Sequence, residues 1–348
     1  MRRDSTVLDT LRAVAVLLVL GAHLSEVFAA LGVPSIEPWH WHIGRLGVLL
    51  FFVHTSVVLM MSLQRTPLDG PGLAVDFYIR RAFRIYPLAI VTILGVAAAG
   101  IPPVPWGQPI AATPAVLGSN LLLVQNLTGA PSVLTPLWSL PLEVQMYLVL
   151  PVVFFAIRGG RRLSVAVLLW LGGVLVGLGV PMNGAHMAAF IPCFMSGVLA
   201  YCLAQRRSAD LPFWAFGLAL AAGILGYVAL SALEPARHSR LAAWGICVGL
   251  GLLLPRFRET SSPLLRRAAA GSAKYSYGIY LSHMVSMWLV FVVLPGQPLM
   301  IQLALLAALL VLVPMALYHT IEAPFVRLGA SCAAWVRRPS RAVPSGAA

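Results

Sequence analysis

Long apolar runs follow one another along almost the whole chain, separated by short segments rich in arginine, glycine or proline. A run of about 20 mainly apolar residues is long enough for a transmembrane helix. A further apolar stretch, residues 119–128, is too short to cross and is predicted to be a re-entrant or interfacial segment. The pattern predicts ten membrane spans, at about residues 7–28, 44–62, 86–101, 138–157, 163–180, 185–204, 212–232, 241–255, 275–294 and 300–320.

The predicted fold class is therefore an all-α, polytopic membrane helix bundle. Of the 348 residues, 59% are hydrophobic and 10% are charged, which excludes an ordinary soluble globule. We expect one integral-membrane domain over residues 1–330 and a disordered cytoplasmic tail over residues 331–348. The four cysteines have no paired or metal-ligand spacing, so no metal site is expected.

The net charge of +13 comes mainly from arginine clusters between the apolar runs. Threading the predicted spans alternately through a membrane places these clusters on one side and leaves Arg45, Arg237 and Arg240 toward the other. Cytoplasmic loops carry such an excess of basic residues. We therefore expect a multi-pass protein of the cytoplasmic membrane with both termini cytoplasmic, in contact with membrane lipids and without a nucleic-acid partner.

The first predicted span carries Asp9, Arg12 and His23 in an otherwise apolar helix. Arg12 and His23 are about three helical turns apart, so they lie on roughly the same stripe, ~16 Å apart along the axis. An ionisable side chain inside a span is costly and is a candidate functional group. The alternative is that His23 only hydrogen-bonds a neighbouring helix.

Arg80, Arg81 and Arg84 form a second polar cluster, directly before the third predicted span. Guanidinium groups bind phosphate bidentately, so several within one turn suit a phosphorylated ligand or an anionic headgroup. Ordinary anchoring of the helix at the cytoplasmic surface accounts for the same residues.

Polar groups also open the fourth predicted span, where Trp138 and Ser139 precede Glu143 and Tyr147. Glu143 and Tyr147 are four residues apart and face the same way on a helix. A carboxylate at that depth must be paired, protonated or placed in a wet cavity. It can orient an imidazole or act as an acid or base, and a structural hydrogen bond between helices is the alternative.

Three further histidines lie in predicted spans: His54 in the second, His283 in the ninth and His319 at the end of the tenth, just before Glu322. A hydrogen-bonded structural role is the simpler interpretation of each histidine. A catalytic role is the alternative.

The order of these motifs resembles that of the integral-membrane acyltransferases called acyltransferase type three, which O-acylate glycans, lipids and other acceptors. The resemblance covers nearly the whole chain. Its first motif, an arginine and a histidine with ten intervening residues, is met by Arg12 and His23. The later motifs are met by Arg81 and Arg84; by Trp138, Ser139, Leu140, Glu143 and Tyr147; by Ser276, Tyr277, Tyr280, Leu281 and His283; and by Glu322 and Pro324.

One motif departs from the family pattern. Family members usually read FFxxSG in the second span, whereas this chain has Thr55 and Ser56 in place of Ser-Gly and adds His54. Losing the glycine removes a possible close approach between helices. The departure affects acceptor or acyl-chain identity more than reaction class.

The resemblance implies a bacterial O-acetyltransferase-like enzyme with an acyl-CoA co-substrate, usually acetyl-CoA, and a hydroxyl acceptor, commonly a carbohydrate. No bound cofactor is implied. His23 is the candidate general base, oriented by Glu143 or Asp9, and a covalent acyl-histidine intermediate is the alternative. The donor-binding candidates are Arg12, Arg81, Arg84 and Arg80.

A proton-coupled secondary transporter or flippase for a glycan or lipid precursor is the rival hypothesis, since intramembrane His and Glu also form proton relays. The sequence contains no inverted repeat and no matched pair of helices broken by glycine or proline, which such transporters often have. A noncatalytic lipid-binding scaffold is a third hypothesis, and it gives no reason for His23 and Glu143.

Overall fold

The computed structural model describes residues 5–37, 39–159, 162–180, 186–206, 209–233 and 237–336. Within them the chain is helical, and its one strand-like feature is an isolated bridge between Leu211 and Phe257. The predicted all-α fold class is confirmed. The helices are α1 (Thr6–Ala30), α2 (His40–Arg65), α3 (Gly70–Ala99), α4 (Pro114–Leu121), α5 (Gln125–Thr128), α6 (Leu140–Ile157), α7 (Arg162–Leu178), α8 (Ile191–Ala204), α9 (Phe213–Leu233), α10 (Arg237–Leu253), α11 (Pro263–Trp288), α12 (Leu299–Leu317) and α13 (Ala323–Val336).

Each predicted span coincides largely with one helix. Helices α7 and α8 are apolar but shorter than a typical span. The polytopic helix bundle predicted from the apolar runs is confirmed. In the described part of the chain, seven helical stretches are long and apolar enough to cross a membrane: Thr6–Ala30, His40–Arg65, Gly70–Ala99, Thr135–Ile157, Phe213–Ala232, Pro263–Val293 and Leu299–Val336.

Helix α3 starts well before the third predicted span. It begins after Asp69 and ends at Gly100, whose left-handed φ of 61° suits a glycine at a helix C-terminus. The three arginines at 80, 81 and 84 therefore lie inside a helix rather than in the loop before it. Because Arg81 and Arg84 are three residues apart, they share a face of α3.

The segment predicted to be re-entrant or interfacial forms two short helices, α4 and α5, with a turn at Leu123 between them. The buried Asn120 amide donates to the carbonyl oxygen of Pro131 at 2.9 Å. Gln125 donates to the carbonyl oxygen of Leu137 at 3.0 Å. These bonds tie the segment to the polypeptide that leads into α6, and neither helix is long enough to cross a membrane.

Helix α2 lies at the centre of the bundle, packed against α1 and α8. A Cβ atom at Gly47 of α2 would lie 2.6 Å from the carbonyl oxygen of Ala15 on α1. A Cβ atom at Gly197 of α8 would lie 2.3 Å from the carbonyl oxygen of Val53 on α2. Because both positions are glycine, the three helices approach backbone to backbone, as small residues allow in membrane bundles.

A π-helical turn, Tyr318–Glu322, joins α12 to α13. Such turns often occur at functional sites, and this one holds Glu322 inside the bundle with 1% exposure. Helix α13 continues to Val336, so residues 331–336 of the predicted tail are helical instead of disordered. Residues 337–348, the rest of that tail, lie outside the described residues.

Candidate active site

Polar side chains converge at two levels inside the bundle, and α1 connects the two levels. We call the first group the arginine cluster; it consists of Arg12, His54, Arg81, Arg84, Glu143 and Tyr147. We call the second group the histidine cluster; it consists of His23, Glu26, His40 and His283. The helical rise of α1 separates the two levels by ~16 Å.

Arg12 and Arg81 enter the arginine cluster from α1 and α3. The Arg12 guanidinium lies 5.5 Å from the centre of the Phe51 ring, and the Arg81 guanidinium lies 5.8 Å from that of Phe77. Each cation is therefore held against an aromatic side chain. The buried Nε atoms of both arginines have no hydrogen-bond partner among the described residues. Buried donors normally have an acceptor, so these two suit an anionic ligand.

A cavity of about 60 Å³ lies between the members of the arginine cluster. All six members line it. The buried Nδ1 atom of His54 also has no hydrogen-bond partner in the described part of the chain. The cavity thus combines cationic and polar walls with room for ordered water or for part of a ligand.

Arg84 is held by an ion pair with Glu322, which reaches it from the π-helical turn. The Arg84 guanidinium also lies 5.9 Å from the ring centre of Tyr277. The second carboxylate oxygen of Glu322 has no partner among the described residues. Two motifs that are far apart in the sequence therefore meet as one buried pair, which fixes the position of Arg84 at the cavity wall.

Glu143 belongs to the arginine cluster and not to the histidine cluster. Its carboxylate accepts the hydroxyl hydrogen of Tyr147, one turn later on α6. The guanidinium groups of Arg12, Arg81 and Arg84 are close enough to interact electrostatically with it. Glu143 therefore offsets part of the positive charge of the cavity, and the prediction that it orients His23 is wrong.

An apolar passage leads from the arginine cluster toward the histidine cluster. The space is narrow, about 20 Å³. Glu143 and Tyr277 line both the passage and the arginine cavity, so the two spaces adjoin. The passage is walled mainly by Ala15, Val16 and Val19 of α1 and by Gly47, Val48 and Phe51 of α2.

Ser139 and Tyr280 also line the passage. The Tyr280 hydroxyl donates to the carbonyl oxygen of Pro136 at 2.6 Å. The two hydroxyl oxygens of Ser139 and Tyr280 are 2.7 Å apart. Because Tyr280 has a single hydroxyl hydrogen, we assign Ser139 as the donor to Tyr280. Trp138, the other predicted site residue here, packs 5.8 Å from Phe190 between ring centres, outside the passage.

His23 is paired with a carboxylate on its own helix. Its Nδ1 atom lies 3.0 Å from Oε2 of Glu26, one turn later on α1. The other oxygen of Glu26 lies 3.6 Å from Nε2 of His40. We assign the Nδ1–H tautomer to neutral His23 because the carboxylate can only accept. Nε2 then carries the lone pair, as in a histidine that acts as a general base.

His283 lies beside His23, with 5.3 Å between the ring centres. Its Nδ1 atom is 3.1 Å from the carbonyl oxygen of Ile279 and 2.9 Å from that of Tyr280. Since both neighbours are acceptors, Nδ1 carries the hydrogen. The buried Nε2 has no hydrogen-bond partner within the described ranges. Two imidazoles with the same tautomer therefore lie side by side in the histidine cluster.

Two predicted site residues, Asp9 and Arg80, lie outside the sites to which they were assigned. Asp9 is on the same helix as His23 but about four turns away, ~21 Å along the axis, so it cannot orient that imidazole. It interacts electrostatically with Arg12 instead. Arg80 donates from Nε to Asp76 at 3.0 Å and is directed away from the arginine cavity.

Glu26 and His40 belong to the histidine cluster but were not among the predicted site residues. The signal for Glu26 was present, since residues three apart on a helix are neighbours. His40 lies before the second predicted span, about residues 44–62, whereas in the structure it begins α2. His319 stands apart from both clusters; it is exposed, with its Nε2 3.3 Å from the Tyr275 hydroxyl.

The close approach expected to be lost with Thr55 and Ser56 is present, because the glycine lies on the partner helix. A Cβ atom at Gly197 would lie 2.7 Å from Cβ of Ser56 as well as against Val53. The α2–α8 contact thus keeps its tight packing, and His54 is added to the cavity beside it.

The comparisons with known proteins agree with the motif pattern. A family model described as an acyltransferase domain, the type 3 acyltransferases, matches residues 6–319. Neither a curated protein nor a solved structure matches the chain.

Proposed function

The chain belongs to this family of membrane acyltransferases, and on that premise we propose that it transfers an acetyl group from acetyl-CoA to a hydroxyl group of a glycan or another membrane-associated acceptor. The observation that carries the proposal is the His23–Glu26 pair. It leaves Nε2 of His23 available as a base, about three helical turns along α1 from the arginine-lined cavity.

The arginine cluster suits the phosphates of the donor. Arg12 and Arg81 have buried donor atoms without a partner among the described residues, and phosphate oxygens would satisfy them. The pantetheine arm of CoA contains about as many bonds as four residues of extended backbone, a reach of roughly 14 Å. That reach is close to the ~16 Å between Arg12 and His23 along α1, so phosphates at the arginines would bring the thioester near His23.

In the proposed reaction, Nε2 of His23 accepts the proton of the acceptor hydroxyl as that oxygen attacks the thioester carbonyl. The new C–O bond forms, the C–S bond breaks, and the proton passes from His23 to the departing thiolate. Glu26 stabilises the imidazolium that exists between these proton transfers. Attack by Nε2 on the thioester, giving an acyl-His23 that the hydroxyl then cleaves, is the covalent variant.

The orientation of the protein in the membrane follows from placing the donor at the arginine cluster. Acyl-CoA is a cytoplasmic metabolite, so the arginine cluster would face the cytoplasm and the histidine cluster the opposite side. The basic loops of the sequence support this, since basic residues are concentrated on the cytoplasmic side of membrane proteins. We propose a cytoplasmic-membrane enzyme with both termini inside and with a carbohydrate acceptor such as a polysaccharide.

The transporter hypothesis gains no support. It requires His and Glu to act together as a proton relay, whereas Glu143 is bonded within the arginine cluster. An apolar passage separates that cluster from the histidines.

The test is release of CoA from acetyl-CoA by the purified full-length protein in nanodiscs, with and without a glycan extract. We expect acceptor-stimulated release that His23→Gln lowers by about 10²- to 10⁴-fold, the usual contribution of a general base. The matched control is His319→Gln, because His319 is an exposed histidine of the same bundle that belongs to neither cluster. A folded His23→Gln protein with wild-type turnover would exclude this role for His23.

A further inference from the structure

A third group of polar side chains lies outside the proposed active site. It contains two of the arginines that sequence analysis placed on the side opposite the basic loops. We call it the Arg45 cluster; it consists of His42 and Arg45 of α2, Tyr227 and Ser231 of α9, and Arg240 of α10. Neither the donor site nor the histidine pair uses these residues.

The members of the Arg45 cluster face one another across three helices. The His42 and Tyr227 rings are 6.2 Å apart between centres. Arg45 interacts electrostatically with His42, Tyr227 and Arg240. Arg240 donates to the backbone carbonyl oxygens of Gly177 and Val180 at 2.9 Å each, which holds it in place.

Three buried polar atoms of the Arg45 cluster lack an acceptor on any other part of the described chain. Nε of Arg45 is buried and has no hydrogen-bond partner in the part of the chain that the structure describes. The buried hydroxyls of Tyr227 and Ser231, one turn apart on α9, have no described partner other than each other. Tyr227 and Ser231 are themselves fully buried. A buried guanidinium nitrogen without an acceptor, beside two buried hydroxyls, suits an anion with several oxygens.

An apolar cavity of about 160 Å³ begins directly beside this cluster. Leu46 follows Arg45 on α2, and Gly223 lies one turn before Tyr227 on α9. Its walls come from α2, α9 and α10 and carry only aliphatic side chains and glycines. Apolar cavities of this size stay dry and bind hydrocarbon.

The outer surface around the cavity is also apolar. Leu218 and Leu225 of α9 are 62% and 71% exposed, and Leu252 of α10 is 46% exposed. In a membrane these side chains contact lipid, so hydrocarbon lies against the helices that form the cavity walls. A ligand that fits both parts must join an anionic head to an aliphatic chain.

We propose that this face binds one anionic glycerophospholipid, with its phosphate at the Arg45 cluster and one acyl chain in the cavity between α2, α9 and α10. The proposal does not depend on the acyltransferase reaction. It also explains why Arg45 departs from the charge pattern of the loops, since it would bind a headgroup. One chain in a site formed by three helices would hold α9 against the central helix α2.

The probe is phosphatidylglycerol, compared with phosphatidylcholine of identical chains, bound to the purified full-length protein in detergent and detected by native mass spectrometry. We expect phosphatidylglycerol to bind about tenfold more tightly, the scale of a charge-assisted hydrogen bond. Glycerol phosphate, which has the head without the chain, should not be retained. Equal retention of both lipids would overturn the proposal.

Two sets of variants distinguish recognition of the lipid headgroup from binding of the acyl chain. Arg45→Gln should remove the preference for phosphatidylglycerol and Arg45→Lys should keep part of it, while Arg65→Gln, an exposed arginine at the other end of α2, should change nothing. Gly249→Leu should weaken both lipids, because a Cβ there meets open space in the cavity. Gly217→Leu, at an exposed glycine of α9, is its control. Loss of preference in Arg65→Gln, or unchanged preference in a folded Arg45→Gln, would contradict the assignment.

Discussion

The arginine cluster and the histidine cluster differ in the kind of hydrogen-bonding atom that remains without a partner. In the arginine cluster, Arg12 and Arg81 keep buried donor atoms without a partner among the described residues. In the histidine cluster, each of His23 and His283 has Nδ1 bound to an acceptor, which leaves a lone pair on Nε2. The arginine cluster is therefore suited to bind an anion, and the histidine cluster is suited to accept a proton. This difference is what a transfer from a phosphorylated donor to a hydroxyl needs.

The clusters also differ in how they are assembled. The arginine cluster draws on α1, α2, α3 and α6, and α12–α13 adds Glu322. The His23–Glu26 pair arises within one turn of α1. The chemistry at the histidine end therefore depends on single side chains, whereas donor binding is distributed over several. We expect substitutions at the histidine end to lower kcat and those at the arginine end to raise KM for the donor.

The largest effect expected from a new substitution is that of Glu26→Gln. The amide removes the charge that stabilises the imidazolium of His23, so kcat should fall by about 10²- to 10⁴-fold. KM for acetyl-CoA should stay within a few-fold of wild type. Steady-state CoA release checks both values.

The control for Glu26→Gln is Glu37→Gln. Glu37 is 51% exposed and lies 4.0 Å from His40, so it belongs to the same surface but does not contact His23. If the two variants lose activity equally, the carboxylate at Glu26 has no special role and the contrast between the two ends fails.

Arg81→Gln is expected to have the next largest effect, and it should change KM more than kcat. Hydrogen bonds to charged groups contribute about 1.5–3 kcal/mol, so KM for acetyl-CoA should rise about 10- to 100-fold. Because Arg81 is remote from the proposed acyl acceptor, kcat should fall less. Equilibrium binding of CoA to the purified protein gives an independent value, and unchanged affinity would remove Arg81 from the donor site.

The sequence predicted the helical fold because helices depend on local pattern. Apolar runs indicated the helices, and the family resemblance grouped Arg12, Arg81 and Arg84, which line one cavity in the structure. The partner of His23 was predicted wrongly because Glu143 looked unpaired in sequence, whereas Tyr147 and the arginines compensate it. Contacts between helices distant in the chain, such as that of Arg84 with Glu322, leave no periodic signal.

Gly47→Ala tests whether the arginine cluster and the histidine cluster both depend on the distance between α1 and α2. The new Cβ would lie 2.6 Å from the carbonyl oxygen of Ala15, so α1 must shift. We expect a loss of about 1–3 kcal/mol in stability, as for other overpacked cores, and a rise in KM together with a fall in kcat. Thermal unfolding in detergent measures the first. Gly21→Ala, where a Cβ meets nothing within 4 Å, should leave all three values near wild type.

The smallest expected effect is that of Arg80→Gln, and it sharpens the comparison within the arginine triplet itself. Arg80 adjoins Arg81 in sequence but bonds Asp76 and has a side chain 34% exposed. Because it does not line the cavity, its loss should change KM for acetyl-CoA by less than about threefold. Arg80→Gln and Arg81→Gln remove the same charge from adjacent positions, so only the orientation of the side chain differs. Equal increases in KM would mean that donor affinity depends on the general positive charge of α3 rather than on a cavity with defined walls.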